Sequence, residues 1–162
     1  MDDRKITQYY DEIFRFAYYM TGSEDAAYDC TQETFLRLIR FYGTYVEKRK
    51  FKAWLLRIAR NVCYDYFRRQ KEIPSEEVTL GMMPGKAEPD RNLGHLERGQ
   101  VIRAALDRLP RMQRDVVILR FYHELSIKEI AIITDSRIPT VKSRLRQSME
   151  KLRNLLNEEE LI

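Results

Sequence analysis

Arg144 and Gln147, together with Thr140 and Ser143, stand at three- and four-residue spacing beyond Arg137, with Lys142 and Arg146 beside them. On a helix this spacing gathers the first four on one face and puts the two cations on its flanks. Arg and Gln are side chains that pair with base edges in a major groove, while Lys, Ser and Thr hold phosphates. The opposite face is a stripe of Val141, Leu145, Met149, Leu152 and Leu156, which asks for a core. From Arg137 to Arg153 there are six basic residues against the single acid Glu150, too one-sided for an ordinary solvated face. The chemistry is recognition of DNA, and the element that must position it is a helix buried on one side.

The residues just before supply the partner helix. Ser126 and Glu129 form an S-x-x-E capping box, and Ile127, Ile130, Ala131 and Ile133 recur at helical spacing. Thr134-Asp135-Ser136 breaks that helix, and Pro139 is tolerated only in the first turn of the next one. The pattern predicts a helix-turn-helix whose second member carries the basic face.

A second set lies between Lys48 and Lys71, where nine basic residues meet only Asp65. The periodicity buries Leu55, Ile58, Ala59, Val62 and Tyr66, with Phe51, Trp54 and Phe67 in the core. It exposes Arg57, Arg60, Asn61, Tyr64, Asp65, Arg68 and Lys71, with Arg69 at the edge. Arginines mixed with Asn and Tyr grip a backbone and stack on bases, as single strands are held. Asp65 is spaced to orient Asn61, Arg68 and Arg69. The competing reading is a core helix whose arginines pair with acids, and acids are scarce nearby.

No set of residues suits catalysis. His95 and His123 are far apart in sequence, and Cys30 and Cys63 form no metal-ligand spacing; both cysteines fall on apolar faces, as small core residues do. The expectation is a protein that is not an enzyme and needs neither metal nor cofactor. No apolar run approaches the ~20 residues of a membrane span, and the N-terminal MDDRKITQYYDE has no signal-peptide core. These features predict a cytoplasmic protein with reduced thiols and no membrane insertion.

Helical periodicity dominates, so the chain reads as all-α, with helices near 4–20, 24–41, 50–71, 96–108, 111–122, 126–133 and 138–156. Between Lys71 and His95 the periodicity fails among Pro74, Gly81, Pro84, Gly85, Pro89 and Gly94. The reading is two small helical domains, residues 1–71 and 96–162, joined by a flexible linker over 72–95, each domain burying its own core. Charge follows the division: 14 Lys and Arg against 10 Asp and Glu in residues 1–71, 2 against 5 in 72–95, and 13 against 10 in 96–162. Two basic regions predict contact with nucleic acid at two places. The helix at 24–41 differs. Ala27, Cys30, Phe35, Leu38, Ile39 and Tyr42 are expected inside. Asp25, Asp29, Gln32, Glu33, Leu36 and Arg40 form an outer stripe, and a leucine in a mostly acidic stripe suggests a protein partner.

These segments resemble a family. DAAYDCTQETFLRLIR, from Asp25 to Arg40, resembles the core-binding region 2.2 of bacterial RNA polymerase sigma factors. FKAWLLRIARNVCYDYFRRQK, from Phe51 to Lys71, resembles regions 2.3 and 2.4. LPRMQRDVVILRFYHELSIKEIA and TVKSRLR, within Leu109 to Arg146, resemble region 4. The length and the short linker are similar to the extracytoplasmic-function (ECF) subfamily. The resemblance implies a first domain that binds the beta-prime clamp helices of core RNA polymerase and opens the -10 element. It implies a second domain that reads the -35 element and rests on the beta flap. The implied clamp contacts are Asp29, Gln32, Glu33, Leu36 and Arg40. Lys50, Lys52, Arg57, Arg60, Asn61, Tyr64, Asp65 and Arg68 fall where -10 promoter DNA is bound, and the loop Gly43 to Lys50 where a flipped base is captured. Arg137, Thr140, Lys142, Ser143, Arg144, Arg146 and Gln147 fall on the -35 reading helix. An anti-sigma factor covering both domains is the implied regulator.

The chain departs from the family at the turn Thr134-Asp135-Ser136-Arg137, which usually reads leucine-glycine-isoleucine-serine, and at Pro139 in place of a small residue. Asp135 can take the left-handed conformation glycine favours, while Ser136 stands where an apolar side chain packs. Two other readings remain at this level: a plain helix-turn-helix regulator that dimerises on two half-sites, and a mimic that titrates a regulator without binding promoters.

Overall fold

The computed structural model describes residues 3–41, 50–71 and 93–161. The loop from Gly43 through Arg49, Tyr42, and most of the expected linker lie outside the described residues, as does the side chain of His95. The described residues form helices and no strand: α1 (Asp3–Thr21), α2 (Glu24–Phe41), α3 (Phe51–Lys71), α4 (Leu93–Asp107), α5 (Arg111–Val117) continued by a π-helical turn (Ile118–Tyr122), α6 (Ile127–Thr134) and α7 (Ile138–Leu161). Helix α4 begins at Leu93, three residues inside the stretch expected as linker.

Helices α1 to α3 pack around Ile13, Phe16, Ala17 and Met20 from α1, Ala27, Cys30 and Leu38 from α2, and Leu55, Leu56, Ala59, Val62, Cys63 and Phe67 from α3. Gly22 ends α1 at φ +76, a left-handed conformation that glycine adopts without strain. Ser23 then caps α2, its hydroxyl accepting from the Ala26 amide at 3.2 Å. The face of α2 that turns inward differs from the apolar pattern. Thr31 and Thr34 are fully buried, whereas Ile39, expected inside, is 76% exposed. Each threonine hydroxyl donates to the carbonyl four residues back, Ala27 and Cys30, at 2.7 Å, so neither is left unpaired in the core.

In the second half, α6 and α7 form the helix-turn-helix. The Ser126 hydroxyl accepts from the Glu129 amide at 3.1 Å and the Glu129 carboxylate accepts from the Ser126 amide at 2.9 Å, completing the capping box. Asp135 sits at φ 53, ψ 47. The Asp135 amide donates to Ile132 O at 3.3 Å and the Ser136 amide to Ala131 O at 2.9 Å, a Schellman closure made without glycine. On α7 the buried side is led by Val141 and Ser148, not Met149, which is 36% exposed. Ser148 satisfies its hydroxyl on Arg144 O at 2.5 Å. The π-helical turn, marked by the His123 amide bonded to Ile118 O at 3.1 Å, shifts the register of α5. It buries His123 and leaves Phe121 exposed.

The two halves do not keep separate cores. Leu106, Leu109, Val116, Ile118, Leu119, Ile130, Ile133 and Val141 are continuous with the core of α1 to α3. Helix α3 packs on α6, and α1 touches α4, α5 and the π-helical turn. Gly22 serves this packing too: a Cβ there would lie 2.5 Å from an Arg103 guanidinium nitrogen, which donates to Gly22 O at 2.9 Å.

Candidate nucleic-acid and polymerase interfaces

The outer stripe of α2 is open. Asp29, Gln32 and Arg40 are exposed and Leu36 is 55% exposed; beside it Ile39 extends the apolar strip. Glu33 is half-buried because Arg37, one turn on, holds it at 3.0 Å. Arg37 also reaches Asp65 on α3 at 2.9 Å. Asp65 therefore bonds Arg68, as its spacing predicted, but also ties α3 to α2.

The eight residues expected to meet -10 DNA separate into groups. Lys50, Arg57, Asn61 and Arg68 are exposed. Arg57 and Asn61, with Phe41, Trp54 and Ile58, line a cleft of about 230 Å³ between α2 and α3. Asp65 is committed to the two arginines. Lys52, Arg60 and Tyr64 are instead engaged by the second half of the chain. Arg60 lies 2.7 Å from Asp115, which is 0% exposed, and its guanidinium stacks 4.3 Å from the Tyr64 ring. The Tyr64 hydroxyl donates to the same Asp115 oxygen at 2.8 Å. Lys52 lies 3.3 Å from Glu12 and donates to His123 O at 2.9 Å. Glu12 also meets His123 Nδ1 at 2.5 Å.

These contacts correct the picture of an open basic face on α3. The acid that pairs with Arg60 is 55 residues downstream, so its scarcity in the local sequence was no guide. Burial pushes the Asp115 carboxyl up, against the pull of Arg60. Burial likewise pushes the Tyr64 phenol up, reinforced by Asp115. Burial pushes the His123 imidazole down, against the hydrogen bond to Glu12. Sequence reasoning passed over Glu12, Arg37 and Asp115, and weighed His123 only for catalysis and metal binding, not as a structural partner. For Asp115 a signal existed: an acid directly before the apolar run Val116 to Leu119 is placed to be buried.

Arg137, just before α7, and Lys142, Arg146 and Gln147 on it are exposed, and Thr140 and Ser143 are half-buried. Arg144 is half-buried and donates to the Ser136 hydroxyl at 2.9 Å. The serine that replaces an apolar turn residue thus positions a candidate base reader. Gln147 accepts from Gln113 at 3.3 Å, a weak tie to α5. Among the described residues no helix is long and apolar enough to cross a membrane.

A three-helix unit with an acidic-apolar outer strip and a basic face, followed by a helix-turn-helix with a basic second helix, defines a two-site transcription factor. Residues 6–73 match the family described as Sigma-70 region 2, and residues 99–152 match Sigma-70, region 4. The chain is 32% identical to the ECF RNA polymerase sigma factor SigX of Bacillus subtilis (strain 168), over 94% of this chain and 86% of that one. Two solved structures share the fold. The sigma factor RpoE in complex with the anti-sigma factor NepR, from Bartonella quintana, matches with a TM-score of 0.75 and 24% identity, over 96% of each chain. CnrH in complex with the cytosolic domain of CnrY matches with a TM-score of 0.73 and 21% identity, over 96% of this chain and 87% of that one. The chain belongs to the ECF RNA polymerase sigma factors, which direct transcription initiation at promoters.

Proposed function

We propose that the outer strip of α2 docks on the clamp helices of the polymerase beta-prime subunit, that α3 opens the -10 element, and that α7 reads the -35 element while the second half rests on the beta flap. The observation that carries this is the division of exposed chemistry. Asp29, Gln32, Leu36 and Arg40 stand together on one helix with Ile39 beside them, while Arg57, Asn61 and Arg68 stand on another. An apolar strip rimmed by charge fits a protein partner, whereas Arg and Asn around an aromatic-lined cleft fit nucleotides. The half-buried Arg144, held by Ser136, fits a side chain pre-set to meet a base edge.

The chain does no bond chemistry of its own in this reading; polymerase performs the synthesis, in the cytoplasm. An anti-sigma factor that covers the α2 strip would hold it inactive, as the solved relatives in complex with NepR and CnrY support. In vitro transcription with core polymerase tests the proposal: addition of the chain yields transcripts from defined promoters, and none arise with core alone. The absence of any promoter-directed transcript on genomic fragments would overturn it.

A further inference from the structure

Behind the reading face of α7, a side chain of α5 has one polar end buried and the other aimed at a candidate base reader. Gln113 Oε1 is buried without a hydrogen-bond partner, while Gln113 Nε2 donates to Gln147 Oε1 at 3.3 Å. Resting on the surface reading above, in which α7 meets the -35 duplex, we propose that Gln113 is a positioning residue for base specificity. It holds Gln147 by the carbonyl, so that Gln147 presents N–H donors to the groove.

The burial of Gln113 fixes the sense of this pair. A side-chain amide carries an acceptor oxygen at one end and two N–H donors at the other. Turning the Gln113 amide over would bury both donors where the carbonyl now lies, and orphaned N–H groups are rarer in proteins than under-satisfied carbonyls. Gln147 therefore meets a donor and answers with Oε1. The backbone keeps the two residues in register. The Gln113 amide donates to Pro110 O at 2.9 Å, and Gln113 O accepts from the buried Ser148 hydroxyl, next to Gln147, at 3.4 Å. Met112, also on α5, brings Sδ to 4.0 Å from Arg144. A glutamine that reads adenine must accept from N6 with Oε1 while Nε2 donates to N7. With Oε1 held by Gln113, Gln147 suits a groove edge that accepts, guanine O6 or thymine O4. It is less suited to one that offers an amino group, adenine N6 or cytosine N4. Arg144, three residues earlier, has donors only, so both readers address acceptors. DNA closing over the pair excludes water, which strengthens a bond that is modest in the free chain.

The test uses holoenzyme assembled from core polymerase and the full chain, selecting from a promoter library randomised at the -35 element. Gln147→Ala locates the base pair, as the position whose preference flattens. Gln113→Leu removes the donor and leaves no unpaired carbonyl behind. Gln113→Glu puts an acceptor in its place, which turns Gln147 to offer Oε1 instead. At the located position the preference should weaken in Gln113→Leu and move to a different base pair in Gln113→Glu, by about three- to tenfold, the worth of one hydrogen bond. Other -35 positions should keep their preferences. The sense is read on duplexes that carry adenine at that position on each strand in turn, against 2-aminopurine, which lacks the N6 amino group. The swap should leave wild type within about twofold and weaken Gln113→Glu about three- to tenfold on one strand. Should the Gln113→Glu carboxylate unfold the chain, Gln113→Leu decides by whether the preference at that position weakens. A wild type that loses affinity in the swap would overturn the inference. So would a located position indifferent to the Gln113 variants, or variants that weaken every sequence alike. If Gln147→Ala flattens no position, the inference falls together with the reading role of Gln147, and a holoenzyme that binds no promoter sinks the surface reading itself.

Discussion

Leu36 and Ile39 offer the sharpest quantitative test of the polymerase strip, because sequence periodicity placed Ile39 in the core and the structure places it outside. Fully burying a Leu or Ile side chain stabilises by about 1.5–3 kcal/mol. With Leu36 55% and Ile39 76% exposed, what remains to be buried on docking scales to about 0.8–1.6 and 1.1–2.3 kcal/mol. Together that is about 2–4 kcal/mol, or roughly a 30- to 700-fold loss of affinity for core polymerase in the double variant Leu36→Ala/Ile39→Ala. The sum is an upper range, since docking also costs side-chain order. Competition against labelled wild-type chain for core polymerase, read by anisotropy, measures it. Urea unfolding of the free variants supplies the control: exposed positions shift stability by no more than about 0.5 kcal/mol. A fall of about 2–5 kcal/mol for Ile39→Ala alone is the signature of a core residue and would refute its placement. Affinity unchanged within about twofold, with the fold intact, would refute the strip as a docking surface.

Further outcomes follow from other sites. Asp135→Gly relieves a left-handed residue but loosens the unfolded chain, so it changes stability by no more than about 0.5 kcal/mol, whereas Asp135→Val costs about 2 kcal/mol; urea midpoints distinguish them. His123 is held below its usual pKa by burial, so the unfolded chain binds its proton first, and stability is lost as pH falls below about 6.5. Thermal melts across pH 5.5 to 7.5 should show that slope in the wild type and a shallower one in His123→Gln, where the titrating ring is gone. Lys142→Ala and Arg146→Ala should weaken duplex binding for all sequences alike and each lower the salt slope by roughly 0.9, read from titrations at several salt concentrations. Ser136→Ala frees Arg144, and selection among randomised -35 duplexes should then show altered base preference with non-specific affinity retained.

The elements were legible in the chain because their signals are local. The capping box at Ser126 and Glu129, the break at Asp135, Pro139 in a first turn and the apolar spacing of α3 each act within a few residues, so α3, α6 and α7 could be read from order alone. The α2 strip at Asp29, Gln32 and Leu36 was legible for the same reason, as was the division of basic charge. What tertiary structure decided was which of those faces meets solvent. Thr31 and Thr34 took core places from Ile39 because a hydroxyl can bond its own helix, a choice that hydropathy does not register. Ser148 displaced Met149 in the same way. Arg60, Tyr64 and Lys52 read as an open basic face until Asp115, Glu12 and His123 arrived from distant positions to pair with them. Periodicity assigns a side chain to a direction around its helix; whether that direction holds water, DNA or another helix depends on packing between segments far apart in the chain, and no local spacing encodes that.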